Sequence, residues 1–230
     1  MLRRSITEAR RLARLARRRA RGRGAATKLK AAAAVEEMAE RCEKVTGQIR
    51  QRVAGEPITD RIVSLHDPDA RPVRKGKLGK PNEFGFVSQL AEVTENTKTG
   101  ARGLILPAST ELGNPAEETL LLGTIAELHR LGIRPREIAV DGAFTPAPTN
   151  TAFAGLQPKQ VFIAGRQEPA SRRTTRRLRR YRTGHEGPIS HLKRRYGLGR
   201  SRLKGDEGRQ ISTEWGIFAY NTDTLAVRTR

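Results

Sequence analysis

The chain is poor in cysteine, aromatic residues, acid and long apolar runs. Its single cysteine, Cys42, excludes an intrachain disulfide and leaves no cysteine-based zinc site. That usage fits a reducing setting, cytoplasmic and associated with the nucleoid. Aromatics make up 4% of the 230 residues, so a core is expected, but not beneath every segment. No apolar run approaches the roughly 20 residues needed to cross a bilayer, which excludes a spanning protein. The N-terminus MLRRSITEARRLARLARRRARGRG lacks the apolar region and small-residue cleavage site of a secretory signal. No internal repeat is found.

Positive charge is what the chain has in excess. Lys and Arg number 45 against 24 acids, a formal net charge of +21 and far more than solubility requires. A polyanion partner follows, and DNA, RNA or an anionic surface would each be attracted by the same long-range field.

Composition changes near residue 55, dividing the chain into a basic helical region, 1–55, and an α/β region, 56–230. The first predicted helix, Ser5 to Arg19, carries Ile6, Ala9, Leu12, Ala13 and Leu15 on one side. A second, from about Thr27 to Val53, has Val35, Met38, Cys42, Val45 and Ile49 at spacings of 3, 4, 3 and 4, the seam of a packed helix or an oligomerising coiled coil. Arg61 to Leu65 is a short predicted strand, and Arg71 to Pro81 a basic connection. Phe84 to Thr94 and Gly103 to Pro107, joined by the turn residues ENTKTGAR, predict an antiparallel pair.

Leu120, Leu121, Ile125, Leu128 and Leu131 fix a helix over Ala116 to Leu131. Buried-type strands follow at Glu137 to Val140 and Gln160 to Ala164, with a short helix over Thr149 to Leu156 between them. Beyond the arginine run from Ser171, helices are expected over His185 to Tyr196 and Gly208 to Val227, the latter burying Ile211, Trp215, Phe218, Ala219 and Leu225. This order predicts one mixed sheet covered by helices.

Two acids stand out within it. Asp141 ends a strand ahead of Gly142, where ligands bind in open α/β sheets, although Asp-Gly also starts ordinary turns. Glu186 sits in YRTGHEGPISHLKRRYG, the most arginine-dense part of the chain, where a helix dipole or ion pairs with Arg180 and Arg182 would also favour it. Taken together they suit phosphoryl transfer, because hard cations take oxygen ligands and two metals activate the attacking and leaving oxygens. Arg172, Arg173, Arg176, Arg177, Arg180 and Arg182 are too dense for a merely solvated face. With Tyr181 the single aromatic among them, contact with backbone phosphate fits better than base stacking. Ser190 and His191, adjacent on a helix, do not face each other as a hydrolase dyad would. His66, beside Asp67 and Asp69, has no second histidine to complete a metal site.

Arg182, Glu186 and Lys193 stand in an R-x3-E-x6-K pattern. With other ordered motifs it resembles the signature of bacterial insertion-sequence transposases of the DDE class, the ISNCY-like branch in particular, with Arg179 where the family has Tyr. VSLHDPDARPVRKGK followed by EFGFVSQLAEV resembles the family's DP-x-A and KGK stretch, AVDGAF its second-aspartate motif, and YGLGRSRLKG and WGIFAYNTDTLA its end. The resemblance covers Arg61 to Val227. It implies an RNase H-like core, Asp141 and Glu186 as catalytic metal ligands for two Mg²⁺ or Mn²⁺ ions, and Arg182 and Lys193 at DNA phosphate, with Arg194 and Arg195 beside them. Transposon ends and target DNA, and no membrane, are the implied partners. The family's first aspartate lies in a D-x-T-like motif that residues 1–60 lack. Asp60 is followed by Arg61 and Ile62, and Asp67 and Asp69 stand among prolines as the nearest later candidates. The expectation is a shortened, catalytically impaired transposase. The alternative is a basic DNA- or RNA-binding protein without catalysis.

Overall fold

A computed structural model describes residues 2–77, 80–95, 103–111, 115–169 and 171–228. Helix accounts for 57% and strand for 13%, so the fold is mixed as the sequence predicts, but weighted toward helix. Two compact units divide the chain, Met1–Gly85 and Phe86–Arg230. Among the described residues no helix is long and apolar enough to cross a membrane.

The first unit opens with an antiparallel hairpin of α1 (Leu2–Arg18) and α2 (Ala25–Val53). Gly24 turns the chain into α2 with φ 94°, a backbone state that suits glycine. Arg10 bonds Glu43 at 2.6 Å and Arg17 pairs with Glu36, so positions advancing along one helix meet positions retreating along the other. The buried side chains are Ile6 and Ala13 on α1 and Ala32, Ala39 and Gln48 on α2. The expected seam is therefore not the face that packs within this hairpin: Val35 and Ile49 are exposed, and Met38, Cys42 and Val45 are only half-buried. Small side chains on the contact face let two backbones approach.

Two further expectations in this unit are corrected. Arg61 to Leu65 forms no strand, because no ladder partner meets it. The Leu65 carbonyl instead accepts a bond from Arg41 Nη1 at 2.9 Å. The supposed connection Arg71 to Pro81 is mostly strand: β1 (Arg71–Lys77) pairs antiparallel with β2 (Lys80–Gly85), Arg71 opposite Gly85. Pro72 is tolerated because both strands of a two-stranded ribbon are edges.

In the second unit, β3 (Val87–Gln89) pairs antiparallel with β6 (Ser109–Glu111), and β4 (Glu92–Val93) with β5 (Leu104–Ile105). The β4/β5 pair is the predicted one, although residues 96–102 of its turn lie outside the described residues; β6 extends the pairing beyond the expected Gly103 to Pro107 run, and Phe84 and Gly85 belong to β2 instead. The outer ladder pairs Val87 with Glu111 and the inner one Glu92 with Ile105, so the two are one residue out of register. Helix α3 (Glu117–Arg130) buries Leu120, Leu121 and Leu128. It stops at Gly132, where φ is 66° and Ile133 N–H returns to the Leu128 carbonyl at 2.9 Å.

Next, β7 (Glu137–Val140) and β8 (Gln160–Ile163) pair in parallel, joined through α4 (Pro146–Phe153) and a tighter turn at Ala154–Leu156. The main core gathers Leu106, Leu121, Leu128, Phe144, Phe153, Leu156 and Ile163 from these elements. Helices α5 (Arg172–Gly184), α6 (Glu186–Arg195) and α7 (Gly205–Arg228) complete the chain.

The expected single sheet is corrected to four two-stranded ladders. One reason lies at β5, whose outer edge is closed by a side chain. Asn221 of α7 accepts from Ile105 N–H at 2.9 Å and donates to its carbonyl at 2.8 Å, where a further strand would pair. The same bonds overturn the expected face of α7. Glu214 accepts the Ala108 N–H at 3.0 Å, and Ile217 and Tyr220 pack with Ile105 and Leu192. Gly216 approaches so closely that a Cβ there would lie 2.6 Å from the Tyr196 carbonyl oxygen. With that face turned inward, Ile211, Trp215, Phe218 and Leu225 are left exposed, Trp215 at 66%.

Candidate nucleic-acid interface

The arginine run from Ser171, which has almost no apolar content, forms α5. Arginine is a good helix former, and three side chains anchor one face. Leu178 is buried, the Tyr181 ring is mostly buried, and Arg177 grips Glu137 of β7 with two bonds of 2.6 and 2.7 Å. Burial first, and the Glu92 charge second, push the Tyr181 hydroxyl far above the usual phenol range. Ser171 caps the start by accepting from Thr174 N–H.

That anchoring sorts the predicted phosphate-binding arginines. Arg172, Arg173, Arg176 and Arg180 are exposed and make no side-chain bond among the described residues. Positions 172, 176 and 180 are one turn apart and form a cationic stripe. Arg177, by contrast, is committed to Glu137.

Helix α5 ends at His185, and α6 begins with Glu186. Seven residues are two turns, so Lys193 lies on the same face as Glu186 about 10 Å further along. Lys193, Arg194 and Arg195 are all exposed, and Arg195 stands over the Tyr196 ring at 5.9 Å.

Asp141 leaves β7 with its Oδ1 accepting Gly142 N–H at 2.6 Å. Gly142 is required, since a Cβ there would meet the Ala164 carbonyl oxygen at 2.7 Å. One nitrogen of Arg182 then joins the two predicted acids: Nη2 lies 3.1 Å from Asp141 Oδ2 and 3.3 Å from Glu186 Oε1. Asp141, Arg182 and Glu186 thus come together from a strand end and two helices.

Sequence reasoning missed the groups beneath this cluster. The Glu92 carboxylate is only 2% exposed; it accepts Gly103 N–H at 2.6 Å and lies 2.9 Å from His185 Nδ1. The Tyr181 hydroxyl reaches the Glu92 carbonyl at 3.5 Å. Together they tie the elbow between α5 and α6 to the β4/β5 hairpin. No local pattern marks Glu92, because its partner is 93 residues away.

The candidates for a first aspartate belong to the other unit. Asp60 pairs with Lys44. Asp67 N–H donates to Ser64 Oγ at 3.1 Å and its carbonyl accepts Ala70 N–H at 3.2 Å, a turn that Asp69 lies within.

Whether these residues suit two magnesium ions follows from the donors. Two ions call for several converging carboxylates. Asp141 and Glu186 share a guanidinium instead, and among the described residues no group of three or more His, Cys, Asp or Glu side chains is arranged to hold a metal. Among the described residues, the two carboxylates are thus the acids that meet at this point. The face carries exposed cations, the α5 stripe, Lys193, Arg194 and Arg195, the last beside the Tyr196 ring, around an Arg182 held by two acids.

No family model, curated protein or solved structure matches the chain.

Proposed function

We propose that this is a nucleoid-associated DNA-binding protein built on a DDE-transposase-type, RNase H-like core of the ISNCY-like kind, impaired in strand cleavage and transfer. The observation that carries the proposal is the meeting of Asp141 and Glu186 at Arg182 on a face lined with unengaged arginines. The transposase motifs pair the same three residues, and a chain of net charge +21 calls for a polyanion. The parallel β7/β8 pair with Asp141 at a strand end agrees with such a core.

The impairment follows from the donor set. The resemblance calls for a first aspartate that residues 1–60 lack, and a two-metal site short of one carboxylate holds its ions poorly and leaves the nucleophile unplaced. A purely binding role, on DNA or RNA, is the second reading, favoured by Arg182 meeting both acids, an arrangement that needs no metal.

The test is binding of labelled duplex DNA by fluorescence anisotropy, in Mg²⁺ and in EDTA, with an RNA duplex as competitor. The expected result is affinity that falls steeply with salt and survives EDTA, DNA holding against RNA, and no strand transfer in Mg²⁺ or Mn²⁺. Affinity indifferent to salt would overturn DNA binding, and robust cleavage lost in Asp141→Ala would overturn the impairment.

A further inference from the structure

The pairing of Arg182 with two acids bears on how the arginine face engages DNA. We infer that Asp141 and Glu186 act as an internal stand-in for phosphate, holding Arg182 until a DNA backbone displaces them. The inference rests on the DNA-binding reading above and adds a role for both acids that requires no metal.

Three observations lead to it. The Arg182 nitrogen Nη2 is met by anionic oxygens of two residues, at 3.1 and 3.3 Å, the same kind of charge-assisted acceptor that a phosphate oxygen is. The acids are the outward partners: the Asp141 and Glu186 side chains are 58% and 69% exposed, while that of Arg182 is 25% exposed. And Arg182 is the one predicted phosphate ligand on this face held by the two acids, while the α5 stripe and Lys193 stand without such partners among the described residues.

The energetics allow an exchange. Ion pairs between exposed groups are individually weak because water screens them. A phosphodiester brings its own anionic oxygens to the same guanidinium and releases condensed counterions on binding, which the carboxylates cannot match. DNA docking on the stripe would therefore draw Arg182 away from the acids. The acids in turn tax every encounter too loose to bring phosphate to that point, so the gate sharpens the difference between full and partial docking.

The experiment is a double-mutant cycle on the full chain, read as affinity for one duplex in EDTA. Asp141→Asn with Glu186→Gln keeps shape and removes both competing charges. The expected result is binding about threefold to tenfold tighter, the size of two exposed ion pairs, with less than half of that gain in an Arg182→Gln background. Glu186→Gln alone, a substitution at an exposed site, is expected to shift affinity in the same direction. Equal tightening with and without Arg182 would mean only that negative charge near DNA repels it, and would overturn the inference. So would unchanged or weaker binding. Wild-type chain that binds no duplex even at low salt would take down the parent reading first, and the gate with it.

Discussion

The Glu92 carboxylate lies 2.9 Å from Nδ1 of His185, joining the β4/β5 hairpin to the elbow from which both Arg182 and Glu186 project. The acids and arginines of the surface are thus held from below by a buried polar contact that the surface charge pattern does not reveal.

Removing that anchor should be costly. Glu92→Ala leaves the Gly103 N–H and the His185 ring without their partner in a site almost closed to water, an expected loss of about 1–3 kcal/mol. Glu92→Gln keeps an acceptor oxygen and should cost less than half as much. Urea unfolding of the three proteins checks this, and a Glu92→Ala midpoint equal to wild type would contradict it.

Helix α7 offers a paired contrast between faces. Trp215 is exposed and Ile217 is buried against Tyr220, Ile105 and Leu192. Trp215→Ser should change stability by no more than about 0.5 kcal/mol, whereas Ile217→Ala should cost about 2–5 kcal/mol. Thermal unfolding of both variants decides which face the protein buries.

Glu214 predicts a pH dependence. Burial raises its carboxyl above the ordinary range, with the Ala108 N–H pulling partly the other way. A carboxyl whose folded value exceeds its unfolded value favours the folded state most when protonated, below about pH 4. Its contribution is lost as pH rises through the folded value. Glu214→Gln should therefore lose less stability than wild type between about pH 4 and pH 7, measured by denaturant midpoints.

How much of this was legible in the sequence depends on whether local pattern or distant pairing decided each element. Helix α3 and the strands β7 and β8 were readable because Leu120 to Leu131 and the runs EIAV and QVFI carry their own periodicity and apolarity. Asp141 and Glu186 were visible for a similar reason, each marked by immediate neighbours. Helix α5 was not, since its anchors are a few contacts, Arg177 to Glu137 above all, within a run that looks uniformly polar. Strands β1 and β2 hid behind lysines, prolines and glycines, because a two-stranded ribbon tolerates what a central strand does not. The outward turn of Trp215 and Phe218 was unreadable, since it follows from Asn221 and Glu214 bonding backbone groups more than 100 residues away. The same holds for Glu92.

The central claim is that the exposed arginines of α5 bind DNA phosphate while Arg177 serves the fold. The most direct test is the slope of log affinity against log salt for duplex DNA, comparing wild type, the triple variant Arg172→Gln, Arg176→Gln, Arg180→Gln, and Arg177→Gln. The account predicts a slope reduced by about 3 in the triple variant with stability unchanged, and a nearly unchanged slope but lower stability in Arg177→Gln. A triple variant that keeps the wild-type slope, or an Arg177→Gln protein that loses as much of it as the triple variant does, would contradict it.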